Sequence, residues 1–185
     1  MKTPLPRRCS PRRFKAGVTL VEAATAVAVV AAAAGLTVPS FERSVQRRHL
    51  EGAAAQLETD IHYARSMAVA RNMPLRVSFS AGNGSSCYVI HTGAAQCCGC
   101  AADGTAACQG SAEALRSVRF APGDAVSLRS NAGSVLFDPV RGTSTPTATI
   151  QLQTTSGMGI RQVLNVLDRV RSCSPTPALS GYAAC

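Results

Sequence analysis

Three sets of residues in this chain have types and spacings that suggest chemistry. The first is one carboxylate. Glu22 is the only charge in an apolar run that lasts from Val18 to Val38. A carboxylate in a membrane-length segment costs roughly 2.5–3.5 kcal/mol on insertion scales, and such residues usually carry a function. The second set is the cysteines, with Cys9 near the start and seven more from Cys87 to Cys185. Cys97-x-x-Cys100 has the spacing of half a zinc site or of a redox pair. No second Cys-x-x-Cys and no paired-histidine motif accompanies it, and His91 stands alone, so disulfides are favoured over a metal and no metal ligand is assigned. The third set is Arg161, Arg169 and Arg171. Their numbers share parity, so an unbroken strand puts all three on one face. Guanidiniums on one face can clamp successive phosphates. Asp168 falls on the opposite face of such a strand. The plainer reading is a solvated strand edge whose charges oppose aggregation. No nucleophile elbow, P-loop or HExxH motif is present, so neither a catalytic site nor a cofactor is expected.

Composition narrows the setting. The formal net charge is +9. Lys2, Arg7, Arg8, Arg12, Arg13 and Lys15 contribute most of it, and no lysine follows residue 15. The basic balance therefore describes a leader rather than a general nucleic-acid-binding face. Tryptophan is absent and aromatics are few, which leaves a small core of Val, Leu, Ile and Ala. Seven cysteines, all beyond the apolar run, fit a tail exported to an oxidising compartment.

The elements that position these groups follow in order. Residues 18–38 as a helix span about 30 Å, the thickness of a bilayer core. The basic leader stays cytoplasmic and the C-terminal part lies outside. Three readings fit: a secretory signal cut near the Ala-rich end, a twin-arginine signal at Arg12-Arg13, or a retained anchor cut after Gly17. Beyond Pro39, which is expected to kink the junction, an apolar stripe runs through Leu50, Ala54, Leu57, Ile61, Ala64 and Ala68 at helical spacing. Asn72 and Pro74 end the helix. Strand-like stretches follow at 75–80, 87–91, 115–120, 126–129, 134–137, 148–153 and 161–171, with turn signals between them. The expected class is α+β: one long N-terminal helix, half membrane anchor and half amphipathic, packed against a C-terminal antiparallel β-sheet domain.

Lys15-Ala16-Gly17 followed by Val18-Thr19-Leu20-Val21-Glu22 resembles the type IV prepilin leader, with Val18 in the place where phenylalanine is most common. Val135-Leu136-Phe137-Asp138-Pro139, Arg141-Gly142-Thr143 and Thr149-Ile150-Gln151-Leu152 resemble the GspH/FimT group of minor pilins and pseudopilins. Asp168-Arg169-Val170-Arg171-Ser172-Cys173, with the close at Gly181-Tyr182-Ala183-Ala184-Cys185, is similar to the FimT branch. That branch often carries Gly-Arg-x-Arg, so Asp168 stands where glycine is usual. The resemblance covers the leader, the helix and the last 50 or so residues, and leaves 92–110 without a counterpart.

The resemblance implies a division into residues 1–17 as a cleaved leader, 18–38 as a transmembrane and filament-core helix, 39–73 as its amphipathic continuation, and 74–185 as a periplasmic head. Within the head, 92–110 form a Cys-rich loop and 173–185 a disulfide-closed tail, with Cys173 bonded to Cys185. A prepilin peptidase cuts between Gly17 and Val18 and methylates Val18. Pro39 falls where pilin-like helices often carry proline. In a filament, Glu22 neutralises the Val18 amine of a neighbouring subunit, since a buried charge needs a partner; otherwise it snorkels to the headgroups. The partners implied are the peptidase, other major and minor pilins and the inner membrane. DNA is a further one, bound weakly and without sequence preference through Arg161, Arg169 and Arg171. The implied protein is a single-pass inner-membrane minor pilin of a Gram-negative type IV pilus. The alternative is a pseudopilin of type II secretion. Cys87, Cys97, Cys98, Cys100 and Cys108 remain, an odd number, so one thiol is free or bridges to another chain.

Overall fold

The computed structural model describes residues 17–185 except Asn83, Ala102 and Pro177, and over residues 36–40 it describes the backbone alone. The leader before Gly17 and the side chain of Pro39 therefore lie outside the described residues. Two compact units divide the chain between Phe41 and Glu42.

Helix α1 spans Leu20–Arg71. Its start is a capped turn: the backbone N–H of Glu22 donates to Thr19 Oγ1 at 3.2 Å, which satisfies one of the amides a helix leaves open at its N-terminus. Glu22 also sets its charge against the positive end of the helix dipole. Its end is equally specified. Asn72 takes a left-handed φ of 49°, Asn72 N donates to Val69 O and Met73 N to Ala68 O, both at 3.1 Å. This pair of bonds is a Schellman motif, and Pro74 then prevents continuation.

In the first unit the apolar side chains of α1 are uncovered: Leu20, Val21, Val27, Val29 and Val30 are all exposed. Among the described residues no helix is long and apolar enough to cross a membrane; the expected span, 18–38, includes residues whose side chains are not described.

The second unit holds the core. Leu50, Ala54, Leu57, Ile61, Ala64 and Ala68 are buried and pack with Tyr88, Ile90, Phe137, Ile150, Leu152 and Ile160 in one cluster. Each large aliphatic side chain so buried contributes roughly 1.5–3 kcal/mol. Strands β1 (Leu75–Gly82), β2 (Ser85–His91), β5 (Ala114–Phe120), β7 (Ser134–Asp138) and β8 (Thr143–Thr145) form one sheet in the order β5-β2-β1-β7-β8. Strands β6 (Val126–Ser130), β9 (Ala148–Thr154), β10 (Gly159–Leu164), β11 (Val170–Ser174) and β12 (Ala183–Ala184) form a second in the order β12-β11-β10-β9-β6. The short β3 (Cys98–Cys100) and β4 (Ala106–Cys108) pair as a hairpin. The β-rich part is thus two five-stranded sheets rather than one. Among the described residues all pairings are antiparallel except β11 with β12. The fold is α+β.

The expected strand over 161–171 is corrected as well. Residues 161–171 do not form a single strand. Asn165 Oδ1 accepts the amides of Leu167 at 3.0 Å and Arg169 at 2.9 Å, and Asp168 takes a left-handed φ of 59°. A side-chain-built turn therefore separates β10 from β11. With the strand broken, shared parity does not place Arg161, Arg169 and Arg171 on one face.

Candidate functional site

The first candidate region is the start of α1. Gly17 and Val18 are exposed, and Glu22 is exposed one helical turn beyond them. Among the described residues no cation pairs with the Glu22 carboxylate.

The second region is the outer face of the second sheet. Arg161 pairs with Cys173, and Val163 with Arg171, across β10 and β11. Residues directly opposite in a ladder share a face, so Arg161 and Arg171 lie on one side of the sheet. Hairpin register places them together. Arg169 lies in the turn before β11 and is exposed, so strand alternation does not place it. Asp168 is buried, with its Oδ2 3.3 Å from Arg65 Nε on α1. Its carboxylate is turned to the helix, and the arginines of the outer face keep their charge free of it.

The third region is the tail. Cys173 and Cys185 are joined by a disulfide. Ser174 Oγ accepts Leu179 N at 3.0 Å and donates to Gly159 O at 3.1 Å. Arg47 on α1 donates from Nη1 to Ser180 Oγ and from Nη2 to Ser180 O, each at 2.7 Å, while its Nε meets Glu51 at 2.7 Å. Tyr182 packs on the core, and burial, with Glu51 nearby, pushes its hydroxyl above the ordinary tyrosine range. The tail is therefore tied down at both ends and in the middle.

The Cys-rich loop is closed by two further bonds, Cys87–Cys100 and Cys98–Cys108. Among the described residues Cys97 is the free thiol, half-buried. The Cys97-x-x-Cys100 spacing is thus not a bonded pair: Cys100 reaches back to strand β2 instead. His91 is fully buried. Its Nε2 lies 2.8 Å from Ser78 Oγ and its Nδ1 2.8 Å from Thr92 O. A Ser–His contact of this length is where a search for an activated nucleophile begins. Here Ser78 also donates to Ala95 O at 3.1 Å, so the pair anchors both ends of the segment leading into the loop.

Asp60, which the sequence reading did not single out, is the main buried charge on the helix. It accepts from Tyr88 Oη at 2.6 Å, and Arg116 Nη1 lies 2.8 Å from its other oxygen. Burial and Asp60 together push the Tyr88 hydroxyl far above its ordinary value. An Asp at a position otherwise at the rim of an apolar stripe was the available signal. Gln162 is a second such residue: it is fully buried and donates to Ala54 O of α1 at 2.8 Å. These contacts hold helix and sheets in register.

A family model described as Type II transport protein GspH matches residues 53–167. Among solved structures, the chain is similar to the type IV minor pilin FimU of Pseudomonas aeruginosa strain PAO1. The two share 19% identity over 70% of this chain and 95% of that one, with a TM-score of 0.46. At that score the likeness is one of outline. No curated protein matches.

Proposed function

Because the chain belongs to the GspH family, we propose that it is a minor pilin-like subunit of a Gram-negative type IV pilus, held in the inner membrane by the first half of α1 until it enters a filament or a priming tip complex. Such families are structural and non-enzymatic, and the function is assembly. The observation that carries the reading is the family match over 53–167, which takes in the end of α1 and the strands after it. The start of the chain supports the rest. A prepilin peptidase cuts between Gly17 and Val18, both exposed, and methylates Val18. The apolar side chains that α1 leaves uncovered need lipid or neighbouring helices around them. Glu22 then has the role that a carboxylate among those side chains requires: it pairs with the Val18 amine of the next subunit, so both charges are neutralised together. Pro39 marks the passage from anchor to head.

The test is Glu22→Gln in a strain that assembles filaments. The variant is expected to be processed and membrane-bound yet absent from sheared filaments. Incorporation at the wild-type level contradicts the role given to Glu22.

The description of the matching family supports a second reading, a pseudopilin of type II secretion. Deleting the gene separates the two: loss of pili with secretion intact supports the pilus, and the reverse supports secretion. DNA binding is a further activity we attach to the first reading. It is supported by Arg161 and Arg171 on one face, with Arg169 exposed in the turn before β11. Binding is expected at low salt and lost at high salt.

A further inference from the structure

The second sheet carries more of this surface than its C-terminal strands. Arg129 on β6 pairs with Gln151 on β9, Gln151 with Arg161 on β10, and Arg161 with Cys173 on β11. These residues form one row on the outer face. Arg171 stands in the adjacent row, opposite Val163. The inner face of the same strands is buried, through Leu128, Leu152 and Ile160. Strands lie about 4.8 Å apart, so Arg129 and Arg161 are about 10 Å apart at the backbone, far enough to reach different phosphates. Strands β6, β9, β10 and β11 contain no Asp or Glu. Arg47, Arg65, Arg71 and Arg116 are paired with acids, whereas Arg129, Arg161, Arg169 and Arg171 are in no ion pair among the described residues. Beyond β6 an open groove of ≈ 630 Å³ continues the surface, lined by Ser85, Ser127, Arg129 and Ser130, again without a carboxylate.

We infer that duplex DNA lies across the strands of the second sheet, and that Arg129 is a phosphate contact of this track. The inference rests on the DNA-binding reading above and names its site and the form of its ligand. The two rows hold no aromatic residue, so they offer no stacking platform for single strands. A flat row of guanidiniums and amides suits the backbone of a duplex, without sequence preference. Val163 is the one large apolar residue in these rows, too little for insertion into lipid.

The experiment is fluorescence anisotropy of a mixed-sequence duplex with the full chain in neutral detergent, from about 50 to 200 mM salt. Removing one phosphate contact is expected to flatten the plot of log affinity against log salt by about one unit. Arg129→Ala should show that change, equal to Arg171→Ala, while Arg48→Ala, an exposed arginine of α1, should leave the slope unchanged. Circular dichroism checks that each variant is folded. Wild-type slope in Arg129→Ala, with Arg161→Ala or Arg171→Ala weakened, overturns the track and leaves the DNA reading intact. Equal losses from Arg129→Ala and Arg48→Ala overturn it in favour of bulk charge. An Arg129→Ala defect on anionic vesicles but not on duplex overturns it in favour of lipid. No wild-type binding at the lowest salt overturns both the track and the reading beneath it.

Discussion

At the scale of residues, Asp168 joins a backbone requirement to a charge requirement. Its left-handed φ explains why a glycine suits this position, since only glycine adopts that conformation without steric cost. Aspartate is among the few other residues that tolerate it, and here the side chain meets Arg65 at 3.3 Å. Asp168→Ala loses the ion pair and keeps the strain, whereas Asp168→Gly loses the pair and relieves the strain. The glycine variant should therefore be the more stable of the two by about 1 kcal/mol, read by urea denaturation. Equal stability contradicts the account of the turn. Asp60 gives a pH-dependent case. The folded-state value of Tyr88 is raised, so its contribution is complete below the ordinary tyrosine value of about 10 and is lost as pH rises beyond it. Thermal melts should fall above that pH, and Tyr88→Phe should flatten the fall. The same variant removes a donor from a buried carboxylate, which should cost about 1–3 kcal/mol at neutral pH. Neither role was legible from sequence: the partners of Asp60 and Asp168 lie 28 or more positions away from each, or on another element.

At the scale of elements, periodic features were readable and side-chain-built ones were not. The stripe from Leu50 to Ala68 announced itself through its spacing, and Asn72-x-Pro74 marked the end of α1. The division of 161–171 into two strands was hidden, because the turn contains neither glycine nor proline and depends on Asn165 Oδ1. The hairpin of β3 and β4 was hidden as well, since Cys, Gly and Ala give no alternation and disulfides hold the strands together. Those disulfides make two predictions. Replacing Cys173 and Cys185 by serine should cost about 2–4 kcal/mol and should increase proteolysis of the tail, with Arg47 still holding Ser180. Alkylation of the unfolded, unreduced chain should modify Cys97 and no other cysteine between residues 87 and 185. Modification of Cys100 instead would contradict the connectivity of the loop.

At the scale of the whole molecule, the stretch that matches the GspH family, 53–167, follows a first unit whose apolar side chains on α1 are uncovered. The second unit was legible as α+β from one long period-3.6 stripe followed by short strands. Its separation into two sheets was not, because strand order depends on pairing between distant segments. The Cys-rich loop adds covalent closure to a small core without tryptophan. The basic row across the second sheet became visible only through register, since Arg129 is separated from Arg161 by more than thirty residues of chain. The assignment as a processed, assembling subunit turns on what happens between Gly17 and Val18. Intact-protein mass spectrometry of the membrane-bound protein reads that junction directly. The account predicts a chain that begins at Val18 with one added methyl group on its amine. A chain that begins beyond Ala31, as after a secretory signal, or one that still begins at Met1, would contradict it.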